Sequence, residues 1–224
     1  LKLGHRKHKG YKYYVGVDPA ISTDGDYNVI TVLEVDEHMN KTVVHVDRAK
    51  NVEFRENIDK IRLIGKIFEP EEILYETNTF AKAFTQELRN ISDLNVTDFN
   101  TTRKRKQEII LNLQMNIENG KINFPYGDNT SKRLTNLLVE ELSMFSITHS
   151  GKFEGVGAHD DLVMSLALSI NILHTLSESN PIETSKGLNT ERDKPLASIM
   201  ARQQATLKTA HGGVTQEEIK WLMK

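Results

Sequence analysis

The stretch YYVGVDPAISTDGDYNVITVLEVDEHMNKTVVHVD (Tyr13–Asp47) decides how the fold begins. It contains three β-prone runs, Tyr13–Val17, Val29–Val35 and Lys41–Asp47, which are rich in valine, isoleucine and tyrosine. Turn-forming residues separate the runs, with STDGDYN before the second and HMN before the third. Consecutive β-prone runs joined by turns favour antiparallel pairing, so this stretch predicts a three-stranded antiparallel meander.

After the meander the pattern changes to alternating helices and strands. Helical spacing of apolar residues, with proline and glycine stops, predicts helices over 55–68, 80–89, 105–117, 131–145 and 161–176. Short apolar runs predict strands over 72–75 and 96–99, an extended piece over 121–124, and a hairpin or ordered loop over 145–153. This order is typical of an α/β fold, in which a mixed sheet combines the meander with parallel strands and carries helices on both faces.

The composition narrows the classes of function. The chain has 224 residues, of which 38% are hydrophobic and 27% are charged, as expected for a globular protein with a real core. The formal net charge is −2, so nucleic-acid binding would depend on local basic patches or bound metal. The lack of cysteine excludes disulfides, thiolate nucleophiles and cysteine-rich zinc sites. The sequence contains no P-loop signature and no apolar run long enough to span a membrane.

Composition also divides the chain into three segments. Residues 1–12 are basic and polar, and we interpret them as a linker arm. Residues 13–176 carry the predicted domain, and residues 177–224 form a polar tail that we expect to be mobile. The end of the tail, TQEEIKWLMK, has a capping-box pattern that predicts a short helix. Because the first residue is Leu1 rather than methionine, we expect a further segment to precede this sequence in the full protein.

Four acidic residues lie where a predicted buried element meets a loop. Asp18 and Glu76 each end an apolar strand, and Asp160 and Asp161 begin the last apolar helix. Active sites of open α/β sheets commonly lie at such strand ends. Carboxylates from different elements, with no cysteine, are the ligands that magnesium and manganese prefer, and two such ions can hydrolyse a phosphodiester. The pattern therefore predicts a carboxylate site for Mg²⁺ or Mn²⁺.

Each of these residues also has a simpler interpretation. Asp18, followed by proline, is also a common turn opener, and Glu76 is also compatible with a solvated or salt-bridged carboxylate. One of Asp160 and Asp161 is expected to cap the helix, a role that aspartate often fills. His159 is open to three roles: a contact at the helix start, a contact with DNA, or the positioning of a water molecule.

The densest basic cluster of the predicted domain is TTRKRKQ (Thr101–Gln107), at the start of a helix. Its cations Arg103, Lys104, Arg105 and Lys106 are candidates for binding DNA phosphates. A solvated helix start is the alternative, although positive charge there opposes the helix dipole and so favours a functional reason. No segment resembles a base-reading motif, so we expect any action on nucleic acid to have little sequence preference.

Three segments, VGVDPA, ILYETN and HDDLVMSLALS, resemble in order and spacing the nuclease domain of the large terminase subunit of tailed bacteriophages. The similarity covers roughly residues 10–175, and HDDLVMSLA is its most specific part. The resemblance implies an RNase H-like endonuclease that uses two divalent ions to cut concatemeric double-stranded DNA during genome packaging. It also implies an ATPase domain before this one, a small terminase subunit and a portal protein as partners, and action in the host cytoplasm, outside the mature virion.

The resemblance also suggests roles for individual residues. Asp18 matches the first-strand aspartate of the family, Glu76 the fourth-strand acid, and Asp161, with Asp160 beside it, the acids of the last helix. We favour Asp161 as the direct ligand, because Asp160 is the better candidate for a helix cap. The related Holliday-junction resolvases carry a second aspartate where this chain has Met164. A resolvase or RNase, and a non-catalytic docking module of the packaging motor, remain alternatives.

Overall fold

The structure, a computed structural model, describes residues 7–20, 27–77, 81–147, 153–155 and 160–178. Its strands are β1 (Lys12–Asp18), β2 (Asn28–Val35), β3 (Lys41–Ala49), β4 (Glu72–Glu76), β5 (Val96–Phe99), β6 (Ile122–Asn123), β7 (Phe145–Ile147) and β8 (Phe153–Gly155). Its helices are α1 (Phe54–Phe68), α2 (Ala81–Ile91), α3 (Arg103–Glu118), α4 (Asn129–Met144) and α5 (Asp161–Glu178). The elements predicted between residues 13 and 176 are therefore confirmed, with small shifts at their ends.

Strands β1 to β6 form one mixed sheet in the order β5-β4-β1-β2-β3-β6. β1, β2 and β3 pair antiparallel, as the predicted meander requires. β4 pairs parallel with β1 and β5 parallel with β4, and the helices α1 and α2 supply the crossovers that parallel pairing needs. β7 and β8 form a separate antiparallel hairpin. The predicted α/β architecture is confirmed.

Apolar side chains cover both faces of the sheet, and β1 shows how they divide. Tyr13, Val15 and Val17 belong to the core on the side of α1 and α2. Tyr14 belongs to the other core, which α3, α4 and α5 complete. Because side chains of a strand alternate between faces, Gly16 and Asp18 also lie on the side of α5. This alternation directs Asp18 toward the last helix.

Gly16 brings α5 into direct contact with the centre of the sheet. A Cβ atom at this position would lie 2.0 Å from the carbonyl oxygen of Ser165 and 2.6 Å from the backbone nitrogen of Ser169. The hydroxyl of Ser165, which is fully buried, donates to the carbonyl oxygen of Gly16 at 2.9 Å and hydrogen-bonds with the hydroxyl of Thr31 at 2.9 Å. The position of α5 relative to β1 is therefore determined by backbone contact.

The described part of the predicted linker arm lies against the domain. The ammonium of Lys7 is 2.6 Å from the carboxylate of Glu69, and Nδ1 of His8 is 2.6 Å from Oε2 of Glu34. The hydroxyl of Tyr13 also donates to Glu34. Residues 1–6 and 179–224, with the predicted C-terminal helix, lie outside the described residues. Among the described helices, none is long and apolar enough to cross a membrane.

Candidate functional site

Asp18 and Glu76 lie side by side at the ends of two neighbouring strands. β1 and β4 are parallel, and the pairing of Val17 with Tyr75 places the next residues, Asp18 and Glu76, at the same edge of the sheet. The pKa of Asp18 is well above the usual value for an aspartate, first because its carboxyl group is buried and then because Glu76 carries a like charge beside it. The two predicted strand-end acids are thus brought together.

Asp161 approaches Asp18 because α5 runs antiparallel to β1. From the contact of Gly16 with Ser165, two residues along the strand advance about 6.6 Å. Four residues back along the helix advance about 6 Å in the same direction, which leads to Asp161. Asp161 is 8% exposed, and its Oδ2 accepts the backbone N–H of Tyr27 at 3.3 Å. Its negative charge further raises the pKa of Asp18.

Asp160 is at the start of α5, but its carboxylate does not accept a hydrogen bond from the first N–H groups of the helix. Its carbonyl oxygen accepts the N–H of Met164 at 2.9 Å, which makes it the residue that precedes the helix. Its carboxylate oxygen Oδ2 instead accepts the ammonium of Lys106 at 2.6 Å, with both side chains about three-quarters buried. Asp160 also contributes to the raised pKa of Asp18. The predicted set of four acids is therefore electrostatically coupled.

A fifth carboxylate, Glu141 of α4, was not anticipated from the sequence. Its Oε2 accepts the backbone N–H groups of Leu162 at 2.8 Å and Val163 at 3.3 Å. Burial raises its pKa to about 7, against the lowering effects of these two hydrogen bonds and of Arg48. The available signal was its spacing, because Glu141 is three residues after Leu138 and shares the buried side of an amphipathic helix.

The raised pKa of Glu141 predicts a pH-dependent stability. Because the pKa in the folded protein, about 7, lies above the usual 4.5, the folded state holds a proton that the unfolded state releases. This contribution is fully present below pH about 4.5 and is lost as the pH rises through about 7. We expect the free energy of unfolding to fall over this range less steeply in Glu141→Gln than in the wild type. Urea unfolding in EDTA at several pH values measures both slopes, and equal slopes would contradict the expectation.

Arg48 and Tyr27 connect Glu141 to the acidic cluster, and the sequence did not single them out. Nη2 of Arg48 is 3.6 Å from Oε1 of Glu141. The guanidinium of Arg48 also covers the ring of Tyr27 at 3.3 Å, and the ammonium of Lys50 is 4.5 Å from the same ring. Since the backbone N–H of Tyr27 donates to Asp161, these contacts hold the donor in place.

The predicted basic cluster is divided between two roles in the structure. Arg103 and Lys104 are exposed in the first turn of α3. Arg105 is exposed too, but its guanidinium lies 4.0 Å above the ring of Phe99. Lys106 reaches the acidic cluster through Asp160. Arg103 and Lys104 are thus exposed beside the acidic cluster, with the ammonium of Lys104 3.8 Å from the carboxylate of Glu108, and the role of the four cations in binding DNA stays a prediction.

His159, the other predicted DNA contact, lies outside the described residues, so its role stays a prediction. The turn-rich segment after β1 is also outside them from residue 21 to residue 26. The described residues that frame the cluster are therefore the strand ends, the start of α5 and the first turn of α3.

The family follows from a comparison of the sequence with known protein families. The sequence profile of the Terminase RNaseH-like domain matches residues 15–173, which is more than half of the chain. The chain belongs to this family. The match runs from the middle of β1 through the other five strands of the main sheet and into α5, so this terminase domain contains the whole acidic cluster. The resemblance inferred from the three sequence segments is confirmed.

Solved structures agree with this fold for the terminase domain. The large terminase nuclease of thermophilic phage G20c has 21% identity and a TM-score of 0.58, over 75% of this chain and 86% of that chain. The large terminase nuclease domain of Thermus phage P74-26 has 21% identity and a TM-score of 0.58, over 85% and 94%. The bacteriophage HK97 large terminase has 11% identity and a TM-score of 0.53, over 75% of this chain and 41% of that chain. A comparison with curated protein sequences finds no significant match.

The acidic cluster of the terminase domain fits divalent metal ions. Its donors are all carboxylate oxygens, which hard cations prefer, and the raised pKa of Asp18 reflects first its burial and then like charges that a cation would neutralise. Among the described residues, no three acidic or histidine side chains already form a closed metal-binding group. In the structure, Asp160 accepts from the ammonium of Lys106 and Asp161 from the N–H of Tyr27.

Proposed function

We propose that this domain is a metal-dependent endonuclease that cuts concatemeric viral DNA during genome packaging. The observation that carries the proposal is the coupling of Asp18 with Glu76, Asp160 and Asp161 at one edge of the sheet. Membership of the terminase family supports the same reading. Solved large terminase nucleases of phage G20c that contain magnesium or cobalt support the choice of a divalent ion.

The chain would use its four carboxylates to hold two ions, Mg²⁺ or Mn²⁺. When bound, such ions supply an activated water and stabilise negative charge on the phosphate oxygens. Asp18 lies between Glu76 of the neighbouring strand and the aspartates of α5, so it is the residue best placed to serve both ions. Lys106 donates to Asp160 at 2.6 Å and would be close enough to the cluster to contact a bound phosphate.

DNA would lie across the first turn of α3, where Arg103 and Lys104 are exposed next to Lys106. These cations bind phosphates without reading bases, which supports cutting with little sequence preference. A resolvase is disfavoured because Met164, one turn after Asp161, is buried in the apolar core and provides no ligand. The proposal includes an ATPase domain, a small terminase subunit and a portal protein as partners, and action in the host cytoplasm.

Metal-dependent cleavage of plasmid DNA tests the proposed function. The purified chain is incubated with supercoiled plasmid in Mg²⁺, in Mn²⁺ and in EDTA. We expect nicked and linear products with either ion and none in EDTA, because the carboxylates alone provide no activated water. Cleavage in EDTA would contradict a metal mechanism. A folded protein that cuts under no condition would instead favour a docking module, and preferential cutting of four-way junctions would favour a resolvase.

The exposed cations of α3 are expected to govern the salt dependence of DNA binding. In the double variant Arg103→Ala and Lys104→Ala, the slope of log K against log salt should fall by about 1 for each lost phosphate contact. Fluorescence anisotropy with labelled duplex DNA in EDTA measures this slope. A matched control replaces Arg62 and Lys66, which are exposed in the later part of α1, near the opposite edge of the sheet. Equal slopes for the two double variants would contradict the proposed DNA surface.

A further inference from the structure

The start of α5 needs hydrogen-bond acceptors that compete with the proposed metal centre. The first N–H groups of any helix have no partner inside the helix, and the side chain of the preceding residue usually accepts one of them. In α5 that preceding residue is Asp160, and aspartate is among the best residues for this role. A carboxylate folded back onto its own helix would be turned away from Asp18.

Glu141 accepts these N–H groups instead. It belongs to α4, and its Oε2 accepts from Leu162 at 2.8 Å and from Val163 at 3.3 Å. Its side chain is 7% exposed, so the arrangement is part of the packed interior. The carboxylates of Asp160 and Asp161 then point to Lys106 and to the N–H of Tyr27, which keeps both in the cluster.

Glu141 is itself held from the side of the sheet. Nη2 of Arg48 lies 3.6 Å from its second oxygen, and the Arg48 side chain is only 13% exposed. Arg48 also packs its guanidinium on the ring of Tyr27, whose backbone N–H donates to Asp161. One network of side chains therefore orients both the acceptor for the helix start and the donor for Asp161.

We propose that Glu141 is a positioning residue that caps α5 from a neighbouring helix and thereby releases Asp160 and Asp161 to bind metal. The proposal rests on the metal centre of the proposed function and adds a residue that no ligand pattern would reveal. Glu141 acts through the two aspartates and not as a ligand. Its length matters, because it must reach the N–H groups of α5, whereas its negative charge is secondary.

Two variants separate reach from charge. Glu141→Gln keeps an oxygen at the same distance from the N–H groups but removes the charge. Glu141→Asp keeps the charge but withdraws the oxygens by one methylene, and both substitutions are small enough to preserve the fold. Binding of Mn²⁺ to the full chain is measured by isothermal titration calorimetry. We expect Glu141→Gln to bind near the wild-type affinity and Glu141→Asp to bind about tenfold or more weakly, as when other groups that orient ligands are lost.

A matched control removes another helix cap. Asp128 accepts the N–H of Ser131 at 3.0 Å at the start of α4, away from the acidic cluster. Asp128→Ala should lower the melting temperature without changing Mn²⁺ affinity. A double variant gives a second readout, because Asp160→Asn should weaken Mn²⁺ binding in the wild type but much less in Glu141→Asp, where Asp160 has turned onto the helix.

The outcomes are distinct. Wild-type affinity in Glu141→Asp, or additive losses in the double variant, would overturn the positioning role and leave the proposed function standing. Equal weakening in both Glu141 variants would also overturn it, because glutamine keeps the reach of the side chain and reach would then not account for the loss. Failure of the wild-type chain to bind Mn²⁺ would overturn the metal centre itself, and the positioning role with it.

Discussion

Plasmid nicking by Asp18→Asn is expected to fall by about a thousandfold or more. A catalytic metal contributes several kcal/mol of transition-state stabilisation, and each 1.4 kcal/mol is a factor of ten in rate. Asp18 is the carboxylate that interacts with Glu76, Asp160 and Asp161 together, so its loss weakens the whole set of ligands. Asparagine keeps the shape of the side chain, which favours a folded variant. The rate of conversion of supercoiled to nicked plasmid in Mn²⁺ measures the effect.

In the absence of metal, Asp18→Asn should be more stable than the wild type. The pKa of Asp18 in the folded protein lies well above its usual value, because of burial and then of the charge of Glu76. Its contribution to stability is therefore present below pH about 4 and is lost as the pH rises through the folded-state pKa. Near pH 7 in EDTA, we expect Asp18→Asn to melt at a higher temperature than the wild type. Added Mn²⁺ should then raise the melting temperature of the wild type only.

Asp93→Asn is the matched control for Asp18→Asn. Asp93 is exposed in the segment between α2 and β5. It precedes β5, so it lies at the opposite end of the parallel strands from Asp18 and Glu76. This variant should nick plasmid and respond to Mn²⁺ like the wild type. If Asp18→Asn remained folded and nicked plasmid at the wild-type rate, Asp18 would not be a metal ligand. The proposed set of ligands would then have to be revised.

Gly16→Ala is expected to produce the largest loss of stability. Its Cβ atom would meet two backbone atoms of α5, the carbonyl oxygen of Ser165 at 2.0 Å and the nitrogen of Ser169 at 2.6 Å. Backbone in a packed helix cannot rotate away, so the whole helix must shift from the sheet. We expect a loss of about 3 kcal/mol, at the upper end of the usual cost of overpacking. That corresponds to a fall of roughly 6–12 °C in melting temperature for a domain of this size.

Gly65→Ala provides the comparison for Gly16→Ala. Its Cβ atom would also lie close to a neighbour, 2.5 Å from a terminal methyl of Leu94, but that group can rotate. Gly65 is inside α1, where alanine favours the helix by up to about 1 kcal/mol. We therefore expect little net change. Equal losses in the two variants, measured by urea unfolding, would contradict the claim that backbone contact sets the position of α5.

Local pattern was sufficient to locate the elements and the four acids. The period of two in the meander and the helical spacing afterwards reflect which side chains face a core, and this is a property of the sequence itself. Asp18, Glu76, Asp160 and Asp161 stood out because each lies where a predicted buried element meets a loop, which is where active sites of open α/β sheets commonly lie. Strand and helix alternation predicted a mixed sheet, but the parallel pairing of β1 with β4, which sets the first two acids side by side, is shown only by the structure.

Contacts between distant residues were beyond local pattern. Glu141 accepts hydrogen bonds from residues 21 and 22 positions later in the chain, and Lys106 pairs with an aspartate 54 positions away. A glutamate in a helix and a lysine in a basic cluster have many possible partners, and sequence spacing restricts only those within a turn or two. The assignment of Asp160 as the helix cap was half right, because the residue occupies that position while Glu141 supplies the side-chain oxygen.

The sequence by itself determined the class of fold, the set of acidic residues and the kind of ion they suit. Those properties depend on periodicity and on donor chemistry, both of which are local. Only the tertiary structure decided how the acids are oriented. That orientation depends on Gly16, which lets α5 touch β1, and on Glu141, which satisfies the helix start so that Asp160 and Asp161 remain with Asp18. Both effects involve backbone groups of segments that are distant in the sequence. Their steric contacts and hydrogen-bond partners are set only when the chain folds.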